Sequence, residues 1–100
     1  MERSTVPLAC APGVGFVIPL GTISLVGIVA RNGLVGCGAF DVSALDTFKY
    51  PAARVKPSTG TSIATIDDLL NGLVKEANQH AMACGVIVGM TGREAADLLS

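Results

Sequence analysis

The sequence predicts an α+β fold, a single compact domain with a mainly antiparallel meander sheet of about four to six strands and about three helices packed on it. Three observations carry this. Up to Phe40 the chain is a series of short β-branched and apolar runs punctuated by glycine and proline. After Phe40 the apolar spacing changes from every second residue to every third and fourth. The 100 residues suffice for one core and not for two.

Two strands are expected first, at Thr5 to Ala9 and Val14 to Leu20, separated by Ala11-Pro12-Gly13. Leu20-Gly21-Thr22 then turns the chain into a central hairpin, Ile23 to Phe40. Its turn is read at Asn32-Gly33, because a two-residue type I′ turn needs positive φ at both central positions. With Arg31 opposite Leu34, Val29 falls opposite Gly36, Ile28 opposite Cys37 and Gly27 opposite Gly38. One face then carries Leu25, Gly27, Val29, Gly36, Gly38 and Phe40, and the other Val26, Ile28, Ala30, Val35, Cys37 and Ala39. Neither holds a charge, so both are expected to be covered. Glycine inside a strand costs roughly 0.5–1 kcal/mol relative to alanine, so three on one face imply that a helix, a second subunit or a ligand comes close to the backbone there.

Asp41 is placed to cap a short helix, Val42 to Phe48, that Pro51 stops. Ala52 to Val55 reads as a further strand, and Lys56 to Ser62 as a polar loop without the Gly-Lys-Ser/Thr arrangement of a phosphate-binding P-loop. A long helix is expected from Thr65, boxed by Asp68, to Gly85. Its buried stripe would be Ile66, Leu69, Leu70, Leu73, Ala77, Ala81 and Cys84, and its small residues would suit the glycine face. Val86 to Met90 links to a last helix opened by Thr91, with Glu94 completing a second capping box.

The totals exclude several classes. A formal net charge of -1 with seven scattered basic residues argues against nucleic acid, which needs a clustered basic surface. Residues 4–30 carry no charge, yet Pro7, Pro12 and Pro19 with Gly13, Gly15, Gly21 and Gly27 would break a spanning helix repeatedly, so no membrane segment is expected. Three cysteines without paired metal-ligand spacing fit reduced thiols and a cytoplasmic location. With 50% hydrophobic residues against 15% charged, a homo-oligomer is expected.

Two groups of candidate site residues stand out. Cys37 is the best-placed nucleophile and His80, the only histidine, its possible helper. The start of the short helix would favour a thiolate at Cys37, whereas an ionised Asp41 nearby would oppose it, and the apolar face suits an inert thiol. The ligand-binding candidates are Gly27, Gly36, Gly38 and Asp41 beside the hairpin, with Thr91, Gly92 and Arg93, where backbone N–H groups and a guanidinium could cradle an anion. One histidine with no carboxylate three or four residues on gives no metal site, and no cofactor motif is present.

The runs L-V-G-I-V-A-R-N-G-L-V-G-C-G-A-F-D-V-S-A-L-D, P-A-A-R-V, I-D-D-L-L-N-G-L-V-K-E-A-N and G-M-T-G-R-E-A, in that order, resemble the YunC-like family of small bacterial and archaeal domains of unknown function. The resemblance covers about residues 14–99, including Cys37-Gly38, the D-D-L-L segment at 67–70 and G-M-T-G-R-E at 89–94. It implies a compact single α/β domain and carries no established activity. Three functional readings therefore remain: a homo-oligomeric binding module for a small, anionic metabolite near the glycines and Arg93; a thiol enzyme using Cys37; and a structural module whose glycine face meets a partner protein.

Overall fold

The computed structural model describes residues 2–58, 60 and 62–100, so Thr59 and Thr61 of the expected polar loop lie outside the described residues. One six-stranded sheet runs in sequence order: β1 (Glu2–Val6), β2 (Gly13–Pro19), β3 (Ser24–Val29), β4 (Leu34–Cys37), β5 (Ala52–Lys56) and β6 (Leu73–Ala77). Among the described residues four helices accompany it: α1 (Val42–Asp46), α2 (Ile66–Asn71), α3 (Gln79–Ala83) and α4 (Gly92–Leu99). This is the expected α+β architecture, with one more helix.

The first four strands form the expected antiparallel meander, but β4 and β5 run parallel, with Leu34 beside Ala52 and Cys37 beside Val55. A parallel pair needs a crossover, and α1 supplies it over one sheet face. On that face Leu34, Val42 and Ala52 pack with Phe16, Phe40, Leu45 and Tyr50. On the other, Val26, Ile28, Val35, Cys37, Val55 and Val74 meet Leu69, Leu70, Ala95, Ala96 and Leu99 of α2 and α4.

The hairpin register differs from the expected one by two residues: Gly27 faces Gly36, Ile28 faces Val35 and Val29 faces Leu34. Neither Asn32 nor Gly33 takes positive φ, so the connection is not a type I′ turn. Instead Ala30 N–H donates to the Gly33 carbonyl at 2.8 Å, and Asn32 N–H donates to the carbonyl of Leu99 in α4 at 2.8 Å. A Cβ on Gly33 would collide with the Pro51 carbonyl oxygen. The loop is shaped by what it docks on, and tertiary contact overrides the local turn preference. Because the slip is an even number of residues, the division of side chains between faces survives it.

The long helix is the main correction. Thr65 and Asp68 form the expected capping box, but α2 stops at Asn71, where Gly72 turns extended with φ −73° and ψ 177°. A Cβ at Gly72 would run into Val55 and the Lys56 carbonyl oxygen, so glycine lets the chain turn against β5. Leu73 to Ala77 then extend as β6, and Asn78 caps α3 through the Ala81 N–H. Helical spacing and strand alternation coincide over L-V-K-E-A, and the free edge of β5 decides between them. Val74 and Asn78 are buried, Leu73 and Ala77 are half-buried and Cys84 is exposed, which revises the expected stripe.

Phe48 lies past the end of α1 and is 78% exposed, because Lys49 turns the chain at φ 58°. Gly85, at φ 100°, ends α3 as expected, and Thr91 with Glu94 boxes α4.

Candidate functional site

The glycine face is occupied by the protein's own aromatics. A Cβ on Gly27 would lie 2.5 Å from the Phe16 ring, and one on Gly36 would fall inside the Phe40 ring. The two rings meet edge to face, with centroids 6.2 Å apart at 75°. The close approach implied by the glycines is therefore made by two side chains, not by a helix. Gly38 is exposed with open space above it, and its carbonyl accepts from Arg54 at 3.2 Å. Asp41 is spent on its cap, accepting from Ala44 N–H at 3.0 Å.

Cys37 is 7% exposed and packs in the core between the sheet and α2/α4. His80 belongs to a different constellation, with its Nδ1 2.6 Å from Asp46 Oδ1 and its backbone N–H on the same oxygen at 3.2 Å. The hydrogen bond from the His80 ring holds the Asp46 carboxyl below the usual range. That carboxylate ties the end of α1 to the first turn of α3. Cys10 and Cys84 are exposed thiols.

Among the described residues all backbone donors at 89–94 except the Arg93 N–H already have partners. Thr91 N–H goes to Glu94 Oε1 at 3.0 Å, Gly92 N–H to the Gly72 carbonyl at 2.9 Å and Glu94 N–H to Thr91 Oγ1 at 3.1 Å. Arg93 reaches the Pro7 carbonyl at 3.3 Å. The Glu94 carboxyl is lowered chiefly by the Thr91 N–H. The structure thus places the hairpin glycines, His80 and the α4 start in separate surroundings.

A concave site that the sequence did not mark lies at one end of the sheet. A cleft of about 430 Å³ is lined by Glu2, Arg3 and Ser4 of β1, Gly15 to Val17 and Pro19 of β2, Ser24, and Ala64 to Ile66 before and at the start of α2. Gly15 forms a close floor, since a Cβ there would lie 2.9 Å from both Ile66 and Val6. Ser4, Ser24 and Thr65 bring hydroxyls and Glu2 a carboxylate, while Arg3, opposite Phe16, lies at the β1 rim with its side chain leaving from the other sheet face. The Ala64 and Thr65 N–H groups are taken by Asp68 at 3.1 Å each, which lowers the Asp68 carboxyl. The cleft's residues are far apart in sequence, and only the pairing of β1 with β2 and the seating of α2 bring them together.

Two polar constellations on the α1 side were also missed. Asn78, 6% exposed, accepts from the N–H groups of Ala52 at 3.1 Å and Ala81 at 2.9 Å. Its amide donates to the carbonyls of Val42 at 3.0 Å and Tyr50 at 2.8 Å. Arg54 pairs with Glu76 at 2.7 Å. Among the described residues no group of three histidine, cysteine or carboxylate side chains is arranged to hold a metal, and no helix is long and apolar enough to cross a membrane.

Residues 36–99 match the family described as Domain of unknown function (DUF1805). The uncharacterized protein YunC of Bacillus subtilis is 29% identical over 84 residues, spanning 84% of this chain and 82% of that protein. The crystal structure of a protein of unknown function, TA1206, from Thermoplasma acidophilum superposes with a TM-score of 0.86 at 25% identity, covering 99% of this chain and 92% of that one.

Proposed function

We propose that this chain, which belongs to the DUF1805 family, is a homo-oligomeric binding domain that takes a small acidic metabolite in the cleft beside Arg3. The observation that carries the reading is that cleft, of about 430 Å³, in which three hydroxyl-bearing residues lie over a glycine floor with Glu2 and Arg3 at its β1 rim. Sites for small molecules are typically concave, with an apolar lining and a few polar groups, and Val17, Pro19 and Ile66 supply the apolar part. A carboxylate or phosphate would pair with Arg3 through charge-assisted hydrogen bonds. This moves the ligand away from Gly27 and Gly36, whose space is filled, and from the start of α4, most of whose donors are already used.

Support for an oligomer comes from the surface. Among the described residues Val14, Leu20, Ile23, Val29, Phe48, Met82, Ile87, Val88 and Leu98 are each more than 40% exposed. Such exposure in a chain that is only 15% charged favours a self-association surface.

The test is a thermal-shift panel of inorganic phosphate, succinate and citrate, run on the native chain and on Arg3→Ala. At a hundredfold excess over Kd a ligand adds about 2.7 kcal/mol of stability, so a rise in Tm of several degrees that Arg3→Ala abolishes is the expected result. An equal rise in both proteins removes Arg3 from the site. No rise with any of the three contradicts the acidic-ligand reading.

A further inference from the structure

We infer that the outer edge of β1 is the dimer interface, pairing antiparallel with β1 of a second copy about a two-fold axis through Ser4. The inference rests on the homo-oligomer reading above and assigns it a surface.

The sheet has two edges, and they are treated differently. Along β6 the chain covers itself: Val74 N–H donates to the Met90 carbonyl at 2.8 Å, Gly89 N–H to the Val74 carbonyl at 2.9 Å, and Leu73 bridges Thr91. β1 lies at the other end of the strand order, paired among the described residues on one side only, with Glu2 to Thr5 exposed. An uncovered edge presents a row of backbone donors and acceptors that templates another strand, and β1 has no proline or bulge to prevent it.

The sequence of β1 favours a second copy as that strand. In a two-fold antiparallel pair, residues opposite each other share a face, so the register sum must be even. Centring on Arg3 would set two guanidiniums opposite each other, a destabilising pair. Centring on Thr5 would set Arg3 against Pro7, outside the strand, and leave Glu2 unpaired. Centring on Ser4 uses all five residues, placing Glu2 opposite Val6, Arg3 opposite Thr5 and Ser4 opposite Ser4, with no like charges facing. One open edge per chain closes the assembly at two copies and gives a continuous sheet of twelve strands from the six in each. Glu2, Arg3 and Ser4 also line the cleft, so the second copy would wall the same site.

The test places one cysteine on β1 in a chain carrying Cys10→Ser and Cys84→Ser, with the buried Cys37 retained. Directly opposite residues have Cβ atoms about 4.5–5.5 Å apart, within small adjustment of disulfide geometry. Under mild oxidation Ser4→Cys should convert most of the protein to a covalent dimer. Glu2→Cys and Thr5→Cys, opposite Val6 and Arg3, should remain at least tenfold behind in rate. Equal rates for all three variants, in a native chain that sediments as a dimer, would overturn the β1 interface and leave the oligomer reading standing. A native chain that sediments as a monomer at every concentration would overturn both. Independently of any variant, every second β1 amide in the native protein should be protected from hydrogen exchange at high concentration and lose that protection on dilution. Unprotected outer amides in the dimer would likewise overturn the assignment.

Discussion

Phe16 and Phe40 meet edge to face, with centroids 6.2 Å apart, each standing over a glycine: Phe16 over Gly27 of the neighbouring strand and Phe40, just past β4, back over Gly36 of β4. The glycines are opposite one another across β3 and β4, so the four residues form one interlocked unit on the α1 side of the sheet. Gly36→Ala should overpack it at a cost of about 1–3 kcal/mol. Phe40→Leu should relieve much of that cost. Urea unfolding of the two single variants and the double variant gives the coupling directly, and additive losses would mean that the ring and the glycine are independent.

Asn78 should be among the most sensitive positions. It closes four hydrogen bonds to α1, β5, α3 and the loop before β5. Asn78→Ala leaves buried donors and acceptors unpaired at about 1–3 kcal/mol each, so a loss of at least about 3 kcal/mol is expected. Asn78→Asp keeps the acceptor but turns an oxygen toward the Val42 and Tyr50 carbonyls, and should be no milder.

Three carboxylates set the acid limit of stability. Asp46 is lowered first by the His80 ring, Asp68 by the Ala64 N–H and Glu94 by the Thr91 N–H, from ordinary values of 3.8, 3.8 and 4.5. Near pH 4 the unfolded chain therefore binds more protons than the native one, so stability rises with pH there. The contribution is present above the ordinary carboxylate range and disappears as pH falls through the lowered native values. Urea midpoints should be level from pH 6 to 8 with respect to these groups and drop below about pH 4. Asp46→Asn with Asp68→Asn should flatten that drop.

Thiol labelling sorts the cysteines by burial. Cys10 and Cys84 are exposed and Cys37 is buried, so the first two should react in the native protein and Cys37 only on unfolding. Peptide mass spectrometry between pH 5 and 9 reads this out. Rapid labelling of native Cys37 near pH 6 would indicate an activated thiolate and favour the thiol-enzyme reading.

Much of the fold was legible because local rules and tertiary contacts agreed. Asp41, Thr65 and Thr91 cap as their side chains dictate, and the hairpin faces follow from alternation alone. The failures fall where a distant partner decides. Gly72 ends a helix because Val55 lies against it, and Asn32 bends to reach Leu99, neither of which the neighbouring residues record. The site was harder still. Asp46 and His80 are 34 positions apart, and the cleft draws Arg3, Ser24 and Thr65 from separate elements. A glycine cluster signals close approach without saying by what, and here the answer is two phenylalanines from the same chain.

The most direct test of the proposed site is a titration of phosphate and succinate into the ¹⁵N-labelled native chain, followed by amide chemical shifts. The account predicts saturable shifts at Arg3, Ser4, Gly15, Ser24 and Thr65, lost in Arg3→Ala, with residues 91–94 unmoved. Saturable shifts centred on residues 91–94, or no saturable shift at the cleft with either anion, would contradict it.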